Sequence, residues 1–291
     1  MEQKERRNNM GSYGTLTLCA TPVGNLEDMT YRAVRVLEEA DMIAAEDTRH
    51  TRKLLTHFDI HTPLISYHEH NKMQRGPELI EKLKQGKDIV LVTDAGTPGI
   101  SDPGEDIVKL AQEEGIKVTA VPGAVAGILA LIISGQSTRR FSFEGFLPSD
   151  KKERRMRLET LSKDTNTIIL YEAPHRIKKT LGYLHEALGN RSITIIREIT
   201  KKYEEVAKMD LDEAILYFDE KDPRGEYVLV MEGANQEELD QEKADSWQNI
   251  TVKEHMQQYM DQGLEEKDAM RSVAKDRGVS KREIYQQVKV D

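Results

Sequence analysis

From Thr15 onward, short apolar runs rich in β-branched residues alternate with stretches whose apolar positions recur about every three to four residues, the pattern of strands separated by amphipathic helices. Strands are expected at Thr15 to Ala20, Met42 to Glu46, Pro63 to Tyr67, Asp88 to Thr93 and Lys117 to Val121. Helices fit between and after them at Thr30 to Glu39, Thr48 to His57, Pro77 to Gln85, Asp102 to Glu114 and Ala124 to Ser134. Such alternation implies an α/β layer structure on a largely parallel sheet. The fourth helix carries a start signal: Asp102 as cap, Pro103 in the first helical position and Glu105 completing a capping box, which ends the preceding loop at Ser101.

Gly135 to Arg140 is polar and turn-prone, so the first α/β domain spans 15–135 and a second covers 141–233. The second has strands expected at Phe141 to Phe146, Thr167 to Glu172, Ser192 to Ile199, Glu204 to Met209 and Glu226 to Glu232. Its helices are expected at Lys152 to Ser162, Arg176 to Leu188 and Leu211 to Phe218, the last opened by an Asp210/Glu213 capping pair. Residues 1–14 are polar and read as a disordered N-terminus, and 234–250 is acidic with few apolar residues, a solvated linker. In 251–291 helical spacing returns, with Val252, Met256 and Tyr259, then Ala269, Met270, Val273 and Ala274, then a helix opened by Ser280 and Glu283 that carries Ile284, Tyr285 and Val288. The tail looks like a small helix-turn-helix, a shape used on nucleic acid; a helical hairpin docked on the protein body or on a second subunit accounts for it equally.

At 291 residues the chain is long enough for two cores, and 38% apolar content is enough to fill them. Its net charge of −9 gives no overall attraction to a polyanion, so any nucleic acid must be held by local basic patches. A lone cysteine, Cys19, and the absence of an apolar segment after the N-terminal basic residues fit a cytoplasmic protein. The longest uncharged stretch, Val118 to Thr138, is dense in apolar residues only from Ala124 to Ile133, about half of the ~20 residues a membrane span needs. It reads as a buried helix, and no membrane partner is expected.

Chemistry concentrates where strands end. Asp94-Ala95-Gly96-Thr97-Pro98-Gly99 follows the apolar strand Ile89 to Thr93, Ala20 to Asn25 follows the first strand, and Val121 to Ala126 follows the fifth. Small residues at the carboxyl ends of parallel strands let a ligand approach the backbone, so three such loops can line one cleft. A tight turn that needs glycine for its dihedral angles is the plainer reading of each. Gly96, Gly99 and Gly104 lack dinucleotide-fold spacing, and Glu105 stands where a P-loop places its phosphate-binding lysine, which excludes a P-loop nucleotide hydrolase.

Taken in order, Thr21-Pro22-Val23-Gly24-Asn25-Leu26, Glu46-Asp47-Thr48-Arg49, Ser66-Tyr67-His68-Glu69-His70-Asn71, Thr93 to Gly104 and Tyr171-Glu172-Ala173-Pro174-His175-Arg176 resemble the tetrapyrrole (corrin/porphyrin) methylase superfamily, in its ribosomal RNA branch. The resemblance covers residues 15 to 233, and the helical tail is similar to the branch's C-terminal extension. It implies a class III S-adenosylmethionine-dependent methyltransferase, two α/β domains with the cofactor in the cleft between them, and a homodimer. The implied reaction is 2′-O-methylation of cytidine 1402 of 16S rRNA, near the decoding centre, in the small ribosomal subunit. The cofactor residues it implies are Pro22, Asp94, Ala95, Gly96, Val125, Ala126, Tyr171 and Glu198. Asp94-Ala95 departs from the Asp-Pro common in the tetrapyrrole enzymes, a difference that fits the ribosomal branch.

Methyl transfer from a sulfonium needs no metal, and positioning supplies much of the rate. A base for the hydroxyl proton adds a smaller factor, and the candidates are Glu46, Asp47, Glu172 and His175. Ion pairing of Asp47 with Arg49 and of Glu172 with Arg176 is the competing role for those carboxylates. RNA phosphates call for arginine and lysine on one surface. Arg139, Arg140, Lys151, Lys152, Arg154 and Arg155 are the principal candidates, with Arg49 and Arg176 beside the motifs and Lys201, Lys202, Lys281, Arg282 and Lys289 as weaker additions; an exposed solubilising helix face is the alternative for 151–157. Five of the eight histidines, His50, His57, His61, His68 and His70, crowd one segment. Without a second cysteine or a helical His-x-x-x-His, they are expected to face solvent or RNA rather than zinc.

Overall fold

The computed structural model describes residues 13–248 and 250–290. Residues 1–12 of the expected disordered terminus therefore lie outside the described residues, while Tyr13 packs against the first core and the Gly14 N–H donates to Leu83 at 2.8 Å. The chain divides into two compact units: residues up to 158 with 167–232, and 159–166 with 233–291. Both sheets thus belong to one unit, although the turn at 135–141 does separate them.

The first sheet is built from β1 (Thr15–Cys19), β2 (Met42–Ala45), β3 (Leu64–Ser66), β4 (Ile89–Val92) and β5 (Lys117–Val121), all parallel, in the order β3-β2-β4-β1-β5. Between and after them run α1 (Tyr31–Glu39), α2 (Thr48–His57), α3 (Lys72–Lys84), α4 (Glu105–Glu113) and α5 (Ala126–Ile133). Successive residues of β4 point to opposite faces, Ile89 and Leu91 into one core with Leu79 and Ile107, Val90 and Val92 into another with Leu37 and Leu55. A strand buried on both sides reads as a continuous apolar run for this reason. Because β4, β1 and β5 are adjacent and parallel, the loops leaving their carboxyl ends emerge side by side.

The second sheet comprises β6 (Phe141–Gly145), β7 (Thr167–Glu172), β8 (Ser192–Arg197), β9 (Glu205–Asp210) and β10 (Tyr227–Met231), ordered β6-β7-β10-β8-β9. Only β6 and β7 pair in parallel; the other pairs are antiparallel. Its helices are α6 (Lys151–Leu161), α7 (Ile177–Leu188) and α8 (Leu211–Asp219), the last opened by the Asp210/Glu213 capping box. Although α5 precedes the 135–141 turn, it packs on this second sheet, where Ala130 and Leu131 join Ile169, Ile196, Val228 and Val230. Gly127 permits the approach, since a Cβ there would come within 3.2 Å of Phe143 and 3.3 Å of Ile169.

Three expected boundaries differ. Helix α4 starts at Glu105, with Gly104 (φ 157°) in the capping position and no side-chain cap, so Asp102 stays in the loop. Helix α3 begins at Lys72, five residues before Pro77, and Gly76 faces Leu110, where a Cβ would come within 3.2 Å. The acidic segment expected as a linker forms α9 (Gln236–Gln248), with Gln236 to Asp240 and Gln241 to Asp245 side-chain bonds one turn apart. The second unit continues with α10 (Val252–Asp261), α11 (Glu266–Asp276) and α12 (Lys281–Val290) around Val252, Met256, Met270, Val273, Ala274 and Ile284. Capping boxes at Thr251/Glu254 and Ser280/Glu283 open α10 and α12.

Candidate active site

The three loops are tied to one another by their backbones. Thr21 and Gly96 exchange hydrogen bonds at 2.8 and 3.0 Å, and Thr97 Oγ1 donates to the Ala124 carbonyl at 3.0 Å. Gly123 packs so closely on the β1 loop that a Cβ would lie 2.6 Å from that of Ala20. Gly96, at φ +78°, occupies the left-handed region that a side chain rarely adopts. The β1 loop also meets the second sheet's segment 199–201, through a hydrogen bond from Thr200 Oγ1 to the Val23 carbonyl.

A cavity of about 460 Å³ lies between these loops and the second sheet, within the roughly 300–1,000 Å³ usual for cofactor sites. Asp94, Ala95, Gly96, Val125, Ala126 and Tyr171 all line it, as do Glu46 and Glu172. Sequence reasoning missed Ser101 and Asp102 from the β4–α4 loop, Phe146, and Ile199 and Glu226 beside the second sheet's strands, and gave Lys201 only as a weaker RNA contact. For Asp102 and Ser101 the apparent capping box, which ended the loop too early, concealed the signal; the others reach the cavity through the strand order of the second sheet, which no local pattern encodes.

Electrostatically the cavity is acidic. Burial pushes the Asp102 carboxyl up to about 7, helped by the charges of Glu46 and Asp94. Glu46 is likewise raised, first by burial and then by Asp94, against the Asp94 N–H that it accepts at 3.4 Å. The Tyr171 hydroxyl accepts the Gly127 N–H at 2.9 Å, and its ring meets Phe143 and Phe146 edge-on. Burial raises its phenol. Three carboxylates that repel one another in a half-buried hollow form a site that favours a cation.

Of the remaining catalytic and cofactor candidates, only Glu172 lines the cavity. Pro22 lines an adjoining groove, which Asp94 also borders. Glu198 is outside the cavity lining; its carboxylate holds Lys201 at 3.0 Å and the Glu226 N–H at 2.9 Å, so it fixes two lining residues. Asp47 caps α2 and grips Arg49 at 2.8 Å, and that hydrogen-bonded pair holds its carboxyl well below the usual range. Glu172 is buried with both oxygens engaged, by the Ala173 N–H at 2.8 Å and Thr180 Oγ1 at 2.5 Å, with Arg176 at 3.5 Å. His175 is exposed and outside the lining.

Arg139, Arg140, Lys151, Lys152 and Arg155 are exposed, but Arg154 donates to the Pro148 and Ser149 carbonyls and stacks on Tyr183 at 4.3 Å. Arg157 pairs with Glu144 at 3.2 Å, and Arg176 donates to the Leu147 carbonyl at 2.7 Å. His68 contacts Asn71 at 3.1 Å, and among the described residues no three histidines, cysteines or carboxylates gather as a metal site.

Residues 15–215 match the family described as tetrapyrrole (corrin/porphyrin) methylases. A Bacillus subtilis (strain 168) protein named ribosomal RNA small subunit methyltransferase I is 50% identical, covering 96% of this chain and 95% of its own. A Synechocystis relative of the same name is 48% identical over 94% of this chain and 96% of its own. Among solved structures, the methyltransferase CobJ aligns with a TM-score of 0.58 at 18% identity, over 76% of this chain and 95% of its own. Uroporphyrin-III-C-methyltransferase from Thermus thermophilus aligns at 0.54 and 20% identity, over 75% and 94%. These two likenesses are of fold.

Proposed function

The chain belongs to the tetrapyrrole (corrin/porphyrin) methylase family, and from that premise we propose that it transfers a methyl group from S-adenosylmethionine to the ribose 2′-oxygen of cytidine 1402 in the 16S rRNA of the small ribosomal subunit. The observation that carries this reading is the acidic cavity formed by Glu46, Asp94 and Asp102, whose mutual repulsion a positively charged donor relieves. Small-subunit ribosomal RNA as acceptor follows the name of relatives at 48–50% identity over nearly the whole chain, and the cytidine and its 2′-oxygen follow the resemblance of the sequence motifs.

The residues present suit the donor. Gly96 lines the cavity, while Val125, Ala126 and Tyr171 offer apolar and aromatic surface for an adenosine. When bound, S-adenosylmethionine supplies a methyl carbon on positively charged sulfur, which the hydroxyl oxygen attacks as the C–S bond breaks and its electron pair passes to sulfur. The protein's part is to hold oxygen and carbon in line and exclude water. Of the base candidates, Glu46 is the one retained as proton acceptor: it lines the cavity and its raised carboxyl suits general-base work. Asp47, Glu172 and His175 are set aside for the engagements and exposure described above.

In this reading the enzyme works in the cytoplasm, as a homodimer. Ile128, Ile132 and Ile133 on α5 are 40%, 62% and 43% exposed, an apolar patch suited to a second copy. The function is tested by incubating small subunits from cells lacking the gene with methyl-labelled S-adenosylmethionine and hydrolysing the RNA with alkali. Label in one alkali-resistant cytidine-containing dinucleotide is expected. Label on a base, or transfer to a tetrapyrrole alone, contradicts the proposal.

A further inference from the structure

Beside the cofactor cavity a second groove of about 240 Å³ opens at the carboxyl edge of the first sheet. One wall is the loop after β1, with Pro22, Gly24 and Leu26; the other is α2, with His50, Lys53 and Leu54. Asp94 lines both the groove and the cavity, so the two hollows adjoin at that residue. The groove is smaller than the roughly 300–1,000 Å³ a cofactor or drug-sized ligand fills. It has room for one nucleobase and sugar, not for a macrocycle.

The charge on α2 gives the orientation. Arg49, Arg52 and Lys53 are exposed, and no carboxylate occurs between Thr48 and His57, although the chain carries −9 overall. Arg49 is paired with Asp47, while among the described residues neither Arg52 nor Lys53 has an ion pair. On the opposite side, the short turn Leu26–Asp28 carries Glu27 and Asp28, which repel a phosphate. A polyanion is therefore drawn along α2, not along the β1 loop.

We infer that this groove is the acceptor-nucleotide subsite: the target nucleotide leaves its stack, seats its base among Pro22, Leu26 and Leu54, lays its adjoining phosphates on Lys53 and Arg52, and turns its ribose toward Asp94 and the donor beyond. Enzymes that modify one nucleotide commonly unstack it, and apolar walls replace part of the lost stacking. Charge-assisted phosphate contacts then fix register without reading sequence. The inference rests on the proposed ribose methylation.

Two variants test it with small ribosomal subunits as substrate. Lys53→Ala removes the phosphate contact; KM for subunits rises about tenfold, the scale of one lost charge-assisted bond. The slope of log affinity against log salt becomes shallower by about 0.7. Leu26→Trp fills the groove and lowers kcat. In both, S-adenosylmethionine affinity by calorimetry stays at the wild-type value, which also reports an intact fold; if Leu26→Trp loses it, Lys53→Ala decides alone. Wild-type KM, kcat and salt slope in the variants overturn the subsite while leaving the methylation intact, whereas absence of transfer by the wild-type enzyme overturns the proposed function itself.

Discussion

Asp102 shows how one side chain serves a site that its sequence context disguises. Followed by proline, and three residues before a glutamate, it has the spacing of a helix cap, yet Gly104 takes the capping position and leaves the carboxyl in the cavity. Its raised pKa has two consequences of defined sign. Below the ordinary carboxylate range Asp102 is protonated whether folded or unfolded, so Asp102→Asn changes stability little there. As pH rises towards 7 the native state resists ionisation and loses stability, so the asparagine variant gains in Tm over the wild type up to that pH and holds the gain above it. Donor affinity moves the other way: calorimetry is expected to find S-adenosylmethionine binding tighter as pH rises through 7 in the wild type, and flatter in Asp102→Asn, because only the ionised carboxyl attracts the cation. Glu172 illustrates the opposite case, a carboxylate beside a conspicuous histidine whose oxygens are consumed in holding the 172–176 turn.

At the level of elements, the first sheet was readable because each of its strands is bracketed by glycine, proline or a cap, and because burial on both faces leaves uninterrupted apolar runs such as Ile89–Val92. Convergence of the three loops follows from the strand order, which no local pattern encodes. Their mutual fit makes a further prediction. Gly123→Ala drives a Cβ to 2.6 Å from Ala20, an overpacking that costs about 1–3 kcal/mol and lowers Tm by roughly 2–4 °C for each kcal/mol. Differential scanning calorimetry checks the loss, and donor affinity is expected to weaken with it because Ala124 and Val125 move together with Gly123. The second sheet was less legible: antiparallel pairing of β10 with β7 and β8 brings Tyr227 and Val228 to the cavity, and the Pro223-Arg224-Gly225 turn before them does not tell where β10 lies in the sheet. The acidic segment misled for a different reason. Side-chain bonds from Gln236 to Asp240 and from Gln241 to Asp245 support α9 in a segment with few apolar residues.

On the scale of the molecule, a net charge of −9 coexists with two opposite local fields, an acidic cavity for a cation and a basic helix face for a polyanion. Asp94 stands at their meeting point. The exposed isoleucines of α5 bear on assembly: Ile132→Lys is expected to shift light-scattering mass from dimer to monomer at micromolar concentration, while an unchanged mass removes α5 from the interface. The central claim, that the loops after β1, β4 and β5 and the second sheet together hold a cationic methyl donor, is tested most directly by a crystal structure of the enzyme with S-adenosylmethionine. The donor is expected in the 460 Å³ cavity, its charged sulfur and amino group on the side of Glu46, Asp94 and Asp102 and its methyl carbon directed at the groove that adjoins at Asp94. A donor bound elsewhere on the surface, or one whose methyl carbon faces away from that groove, would contradict it.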